Sequence, residues 1–177
     1  MHAPADLSRS AGAVVLVEGV SDQRAVEALA ARRGRDLAAE GVTVVAIGGA
    51  GNIRRSVEEL LPSGVRLAAL CDAREAPDFR RALDPAAVCV CDADLEDDLI
   101  RCLGPARVVE IIEAEGELAR WRTFQNQPAQ RTRAVEAQLR RFMGTRGGRK
   151  IQYAPVLVDA LDLARVPRPL DAVLARV

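Results

Sequence analysis

The chain has 177 residues, 49% hydrophobic and 28% charged, which is near the size of one domain and enough for a real core. Its 25 basic and 25 acidic groups balance, no apolar stretch approaches the ~18 residues of a membrane-spanning helix, and the only histidine is His2. A spanning helix and a histidine-based triad are thereby excluded. The four cysteines lack a second Cys/His pair at zinc-finger spacing and read as small buried hydrophobes. Residues 1–12 have neither the basic nor the apolar region of a signal peptide, so a flexible tail and a cytoplasmic location are expected.

In chain order, AVVLV at residues 13–17 is too short for a globular helix and rich in valine. That predicts a strand buried on both faces, as inside a parallel sheet. The run ends at Glu18. Gly19 permits a sharp turn, Ser21 offers a helix N-cap, and Asp22 falls in the first turn. Val26, Leu29, Ala30 and Leu37 keep helical spacing up to Gly41. VTVVAI at 42–47 is a second strand closed by GGAG, and Asn52 stands ready to cap a helix bearing Ile53, Val57, Leu60 and Leu61. RLAALC at 66–71 is a third strand with Asp72 at its tip, and Pro77 suits the first turn of a short helix with Phe79 and Leu83. AAVCVC at 86–91 is a fourth, followed at once by DADLEDD at 92–98. Alternation of strand and helix with short connections predicts an α/β fold with a parallel sheet.

Beyond Leu99 the pattern is helical. Asp94 caps a helix with Leu95, Leu99, Ile100 and Leu103. A second carries Val108, Val109 and Ile112 and ends at Gly116, and a third carries Val135, Leu139, Phe142 and Met143. GTRGGRK at 144–150 reads as a flexible basic loop, Pro155 as the start of another helix, and 170–177 as a last short one. Residues 13–177 form one expected domain, with an α/β core over 13–103 and a helical basic extension over 104–177.

Glu18, Asp72 and Asp92/Asp94 each follow a strand and would share one edge of a parallel sheet. Core packing does not ask for that. Oxygen ligands converging without histidine or cysteine favour magnesium or manganese. The alternative for Glu18 and Asp22 is that they serve only as helix-cap and helix-start residues. Charge is also uneven: residues 1–100 carry 11 basic and 17 acidic groups, residues 101–177 carry 14 and 8. This predicts an acidic site beside a basic surface. Lys150 is the one lysine among 25 cations, at the end of a glycine-rich loop.

VVLVEGVSDQRAVEAL at 14–29, VTVVAIGGAGNI at 42–53, LAALCDA at the third strand and DADLEDDLI at 92–100 resemble the Toprim domain of OLD-family (overcoming lysogenization defect) nucleases. The resemblance implies a Toprim, Rossmann-like four-stranded parallel sheet flanked by helices. It also implies metal-dependent phosphodiester hydrolysis with one or two magnesium or manganese ions. Glu18, Asp22 and Asp72 match its metal positions, Asp94 and Glu96 its later acidic residues, and Lys150 its lysine, so Glu18, Asp72 and Lys150 are the expected catalytic set. Arg74 departs from the family's Asp-x-Asp, and Glu75 is a candidate replacement. Nucleic acid, with DNA the expected form, would lie along Arg131, Arg133, Arg140, Arg141, Arg146 and Arg149. OLD nucleases ordinarily carry an ATPase domain. Neither GGAGNI nor GTRGGRK is a P-loop, so a stand-alone Toprim domain is expected, with ATP dependence left to a partner. The other function classes are a catalytically degenerate module that binds nucleic acid or protein, and a phosphatase or nucleotidyl transferase acting on small phosphoesters.

Overall fold

A computed structural model describes residues 12–177; the expected tail lies outside them except for Gly12. Four strands, β1 (Ala13–Val17), β2 (Val42–Ala46), β3 (Arg66–Cys71) and β4 (Val88–Val90), form one parallel sheet in the order β2-β1-β3-β4. β1 is central, pairing Ala13 with Val42 on one side and with Arg66 on the other. All five of its residues are buried, as expected for a valine-rich run with helices on both faces. Burying each of its larger side chains contributes roughly 1.5–3 kcal/mol. A slip in register would forfeit several such terms, so the position of Glu18 at the tip of β1 is firmly set.

Two helices cover one face: α2 (Ile53–Leu60) and α3 (Ala76–Ala82) pack Ile53, Val57, Leu60 and Phe79 against Val14, Leu16 and Ala69. The other face carries α1 (Val20–Arg32), α4 (Leu95–Leu103), α5 (Pro105–Ala114), α6 (Leu118–Gln125), α7 (Val135–Gly144), α8 (Arg149–Asp159) and α9 (Arg168–Leu174). Their buried side chains join Val15, Val17 and Leu70 in the larger core. The helical extension is thus part of the main core. Its α8 makes the most extensive helix pairing of the fold, with α1, and α9 reaches β3 and β4.

α1 and α8 run in the same direction. At their C-terminal ends Arg32 Nη1 donates to the carbonyls of Val158 and Leu161, both at 2.8 Å, satisfying groups that the helix end leaves open. Their N-terminal ends therefore meet at the carboxyl edge of the sheet.

Local details depart from the sequence expectation. Gly19, not Ser21, is the N-cap of α1, and Asp22 Oδ2 accepts the Gly19 N–H at 3.0 Å. Asn52 stands at the N-cap of α2 but makes no side-chain cap bond; its amide donates to the carbonyls of Ile47 and Gly48 at 2.9 and 3.2 Å and so pins the glycine loop. The GTRGGRK loop is shorter than expected because Arg149 and Lys150 already belong to α8. Pro155 lies in the interior of that helix, removing one of its backbone bonds, rather than opening a new one. Helix α6, with Trp121 and Phe124 buried, has no counterpart among the sequence-derived elements. Among the described residues no helix is long and apolar enough to cross a membrane.

Candidate metal centre

The chain turns sharply after β1, β2 and β3, and these turns build one open depression of about 350 Å³ at the carboxyl edge. Glu18, Asp22, Asp72, Glu96 and Lys150 line it together with glycines 19, 48 and 49. Gly48 and Gly49 have φ of +74° and +111°, a region that side chains disfavour, and the Gly49 N–H donates to the Glu18 carbonyl at 2.9 Å. The loop after β2 is thereby laid directly over the tip of β1. Glu18 Oε1 in turn accepts the Asp72 N–H at 3.0 Å, tying β1 to β3.

Electrostatics at this edge are unfavourable for the protein by itself. Burial pushes the Asp22 carboxyl up to about 7, with the charges of Glu96 and Glu18 adding to it. Asp72 is likewise raised to about 7, by burial and then by Glu18, Asp22, Asp94 and Glu96. Glu18 is raised as well, chiefly by burial and against the Asp72 hydrogen bond. Lys150 offsets part of this. Its ammonium donates to Glu96 Oε2 at 2.9 Å, and although burial opposes its charge, the carboxylates around it raise its pKa overall.

Among the described residues no three histidine, cysteine, aspartate or glutamate side chains stand close enough to grip an ion as they are. Glu18, Asp22 and Glu96 are each drawn to a separate partner: the Asp72 N–H, the Gly19 N–H and Lys150. Asp94 is committed at both oxygens. Oδ1 caps α4 through the Asp97 N–H at 2.8 Å, and Oδ2 accepts from Arg140 at 2.6 Å. It does not line the depression. Arg74, where the resemblance would place a second aspartate, has a side chain 91% exposed and lies 3.3 Å from Glu75. It does not line the depression, but its charge still reaches Glu18 and lowers the pKa there, against the charge of Glu75, which raises it.

The expected basic surface divides. Arg131, Arg133, Arg141 and Arg146 are exposed. Arg140 is turned onto Asp94. Arg149 is a correction: it is only 5% exposed and forms a buried pair with Glu117, so it offers no surface to nucleic acid. A run of cations in sequence does not reveal which one is turned inward. Glu117 was not among the expected residues, and Asp98 was not foreseen as interior. Asp98 is buried and bonded to Arg101. Glu117 does follow Gly116 at the start of a helix and lies three residues before Arg120, but nothing in its spacing marks it as buried.

Comparison with known proteins agrees with this fold. Residues 11–73 match the family model described as "Overcoming lysogenization defect protein-like, TOPRIM domain". The fold is similar to the C-terminal region of the Burkholderia pseudomallei OLD protein, with TM-score 0.69 and 16% identity over 94% of this chain and 96% of that one. This is an OLD-like Toprim fold. The C-terminal region of the Xanthomonas campestris pv. campestris OLD protein is also similar, with TM-score 0.69 and 21% identity over 94% of each chain. No curated protein matches the chain. The Toprim match by sequence covers β1 to β3 and their tips, whereas the structural similarity extends through the helices that carry Glu96 and Lys150.

Proposed function

We propose that this domain hydrolyses phosphodiester bonds of nucleic acid, with magnesium or manganese held at the carboxyl edge of the sheet. The observation that carries the reading is the meeting of Glu18, Asp22, Asp72 and Glu96 with Lys150 around one depression. Packing alone opposes such a cluster, since burial and mutual repulsion push Asp22 and Asp72 up to about 7. An all-oxygen donor set short of positive charge fits a hard cation. Glu18, Asp22 and Asp72 would hold it, with Glu96 in the place left open by Arg74. When bound, such an ion polarises a phosphate and lowers the pKa of an attacking water. Lys150, already at the rim and cationic through the neutral range, meets negative charge that develops on phosphoryl oxygens.

Arg131, Arg133, Arg141 and Arg146 would hold the phosphate backbone, giving sequence-tolerant, salt-sensitive binding. Phe124 and Phe142 are buried, so neither offers a platform for stacked bases, and duplex is favoured over single strand. The test is cleavage of plasmid and linear duplex DNA in magnesium or manganese. Wild type should cut, and Glu18→Gln or Asp72→Asn should lose at least about a hundredfold in rate. A second reading, a binding module without catalysis, draws on the cations already paired with acidic residues here: Lys150 on Glu96 and Arg140 on Asp94. DNA that stays intact with both metals while still binding would favour it.

A further inference from the structure

The segment that delivers Lys150 is poorly fixed by itself. Gly144, Gly147 and Gly148 fall within five residues, and a Cβ at any of them would meet nothing within 4 Å. Gly148, with φ of +81°, is the N-cap of α8 and supplies no side-chain cap. Yet the first residue of that helix, Arg149, is held from several sides. Its Nε and Nη2 donate to the two oxygens of Glu117 at 2.9 and 3.1 Å. Its Nη1 donates to the Phe142 carbonyl at 2.8 Å and to Thr145 Oγ1 at 2.6 Å, and its guanidinium lies 4.0 Å from the centre of the Phe142 ring. Tyr153 Oη donates to the same carboxylate at 3.2 Å from the next turn of α8. Arg120 reaches it from the solvent side at 3.0 Å, and Arg146 at 3.5 Å. One forked pair therefore fastens together the start of α6, the end of α7 and the start of α8.

Such a pair is a weak way to stabilise a core, because desolvation offsets most of its attraction and apolar side chains often do as well. What it supplies is geometry: a planar fork with two parallel bonds admits one orientation. Lys150 is the next residue and lies about 100° further round the helix, so Arg149 turned into the core leaves Lys150 turned toward Glu96 on α4. We propose that the Glu117–Arg149 pair is the positioning element that sets Lys150 over the acidic edge. This rests on the reading of that edge as the reactive site. The two neighbouring cations then have separate tasks, a rigid fork at 149 and a compact ammonium at 150.

Lys150 is the only lysine in the chain, so its amine can be followed separately. The experiment is trace acetylation of the full chain, with modification at residue 150 measured against the N-terminal amine by mass spectrometry. Wild type, Glu96→Gln and Glu117→Gln are compared at one pH. Wild type should react slowly and Glu96→Gln several-fold faster. Glu117→Gln should approach the Glu96→Gln rate, and its DNA cleavage should fall by 10- to 100-fold with DNA affinity within about twofold. A folded Glu117→Gln protein with the wild-type acetylation rate would overturn the proposal, as would a wild-type rate equal to that of Glu96→Gln. If circular dichroism shows Glu117→Gln unfolded, Tyr153→Phe replaces it, and an unchanged rate there also overturns the proposal. Released Lys150 reactivity in a protein that cuts no DNA would support the positioning role while removing the nuclease reading.

Discussion

Asp22 and Asp72 stand where solvent is partly excluded and where like charge accumulates, and both carboxyl groups are raised to about 7. In the unfolded chain they ionise near their ordinary value of 3.8. Between those values the folded protein holds protons that the unfolded chain has released, so its stability falls as pH rises through that window. Glu117 acts in the opposite sense and at lower pH. The Arg149 fork, ahead of its other partners, holds it down to about 2, so its contribution is full above 4.5 and is lost as pH falls toward 2. Melting temperature in chelator should therefore decline from pH 5 to pH 7, and manganese should flatten the decline by supplying the missing charge. A profile equally flat with and without manganese would mean that the edge does not carry this repulsion.

At the level of elements, the parallel pair α1 and α8 explains how residues 18–22 and 150 come to one place although 128 positions separate Asp22 from Lys150. The exposed arginines belong to α7 and to the segments before and after it. Replacing Arg131, Arg133 and Arg141 with alanine should weaken DNA binding about uniformly across sequences and lower the salt slope by about three. An unchanged slope in a filter-binding series would place the DNA elsewhere. The strands are legible in the sequence because a strand is apolar along its buried stretch, as in all of AVVLV and in RLAALC after its exposed arginine. Glu18 and Asp72 were legible as the polar residues that end those runs. Arg149 and Glu117 were not, because pairing across 32 residues leaves no local period and a buried cation has the same letter as an exposed one. Pro155 does not open its helix, which already begins at the glycine loop, where no side chain marks the cap.

For the whole molecule, a sheet covered on both faces leaves its carboxyl edge as the place where strand tips, glycine turns and helix starts converge. Much of that edge was readable, since three of its acidic residues directly follow strands or begin the helix after one. The Asp94 cap of α4 is readable as well; what the sequence does not disclose is that its other oxygen binds Arg140, which leaves Glu96 as the later acidic residue at the depression. The central claim is that this edge is a cation site despite Arg74. Calorimetric titration of manganese into wild type and Glu18→Gln tests it most directly. Wild type should bind manganese with micromolar affinity, and Glu18→Gln should lose that binding. Absence of binding in wild type, or equal binding by both proteins, would contradict it.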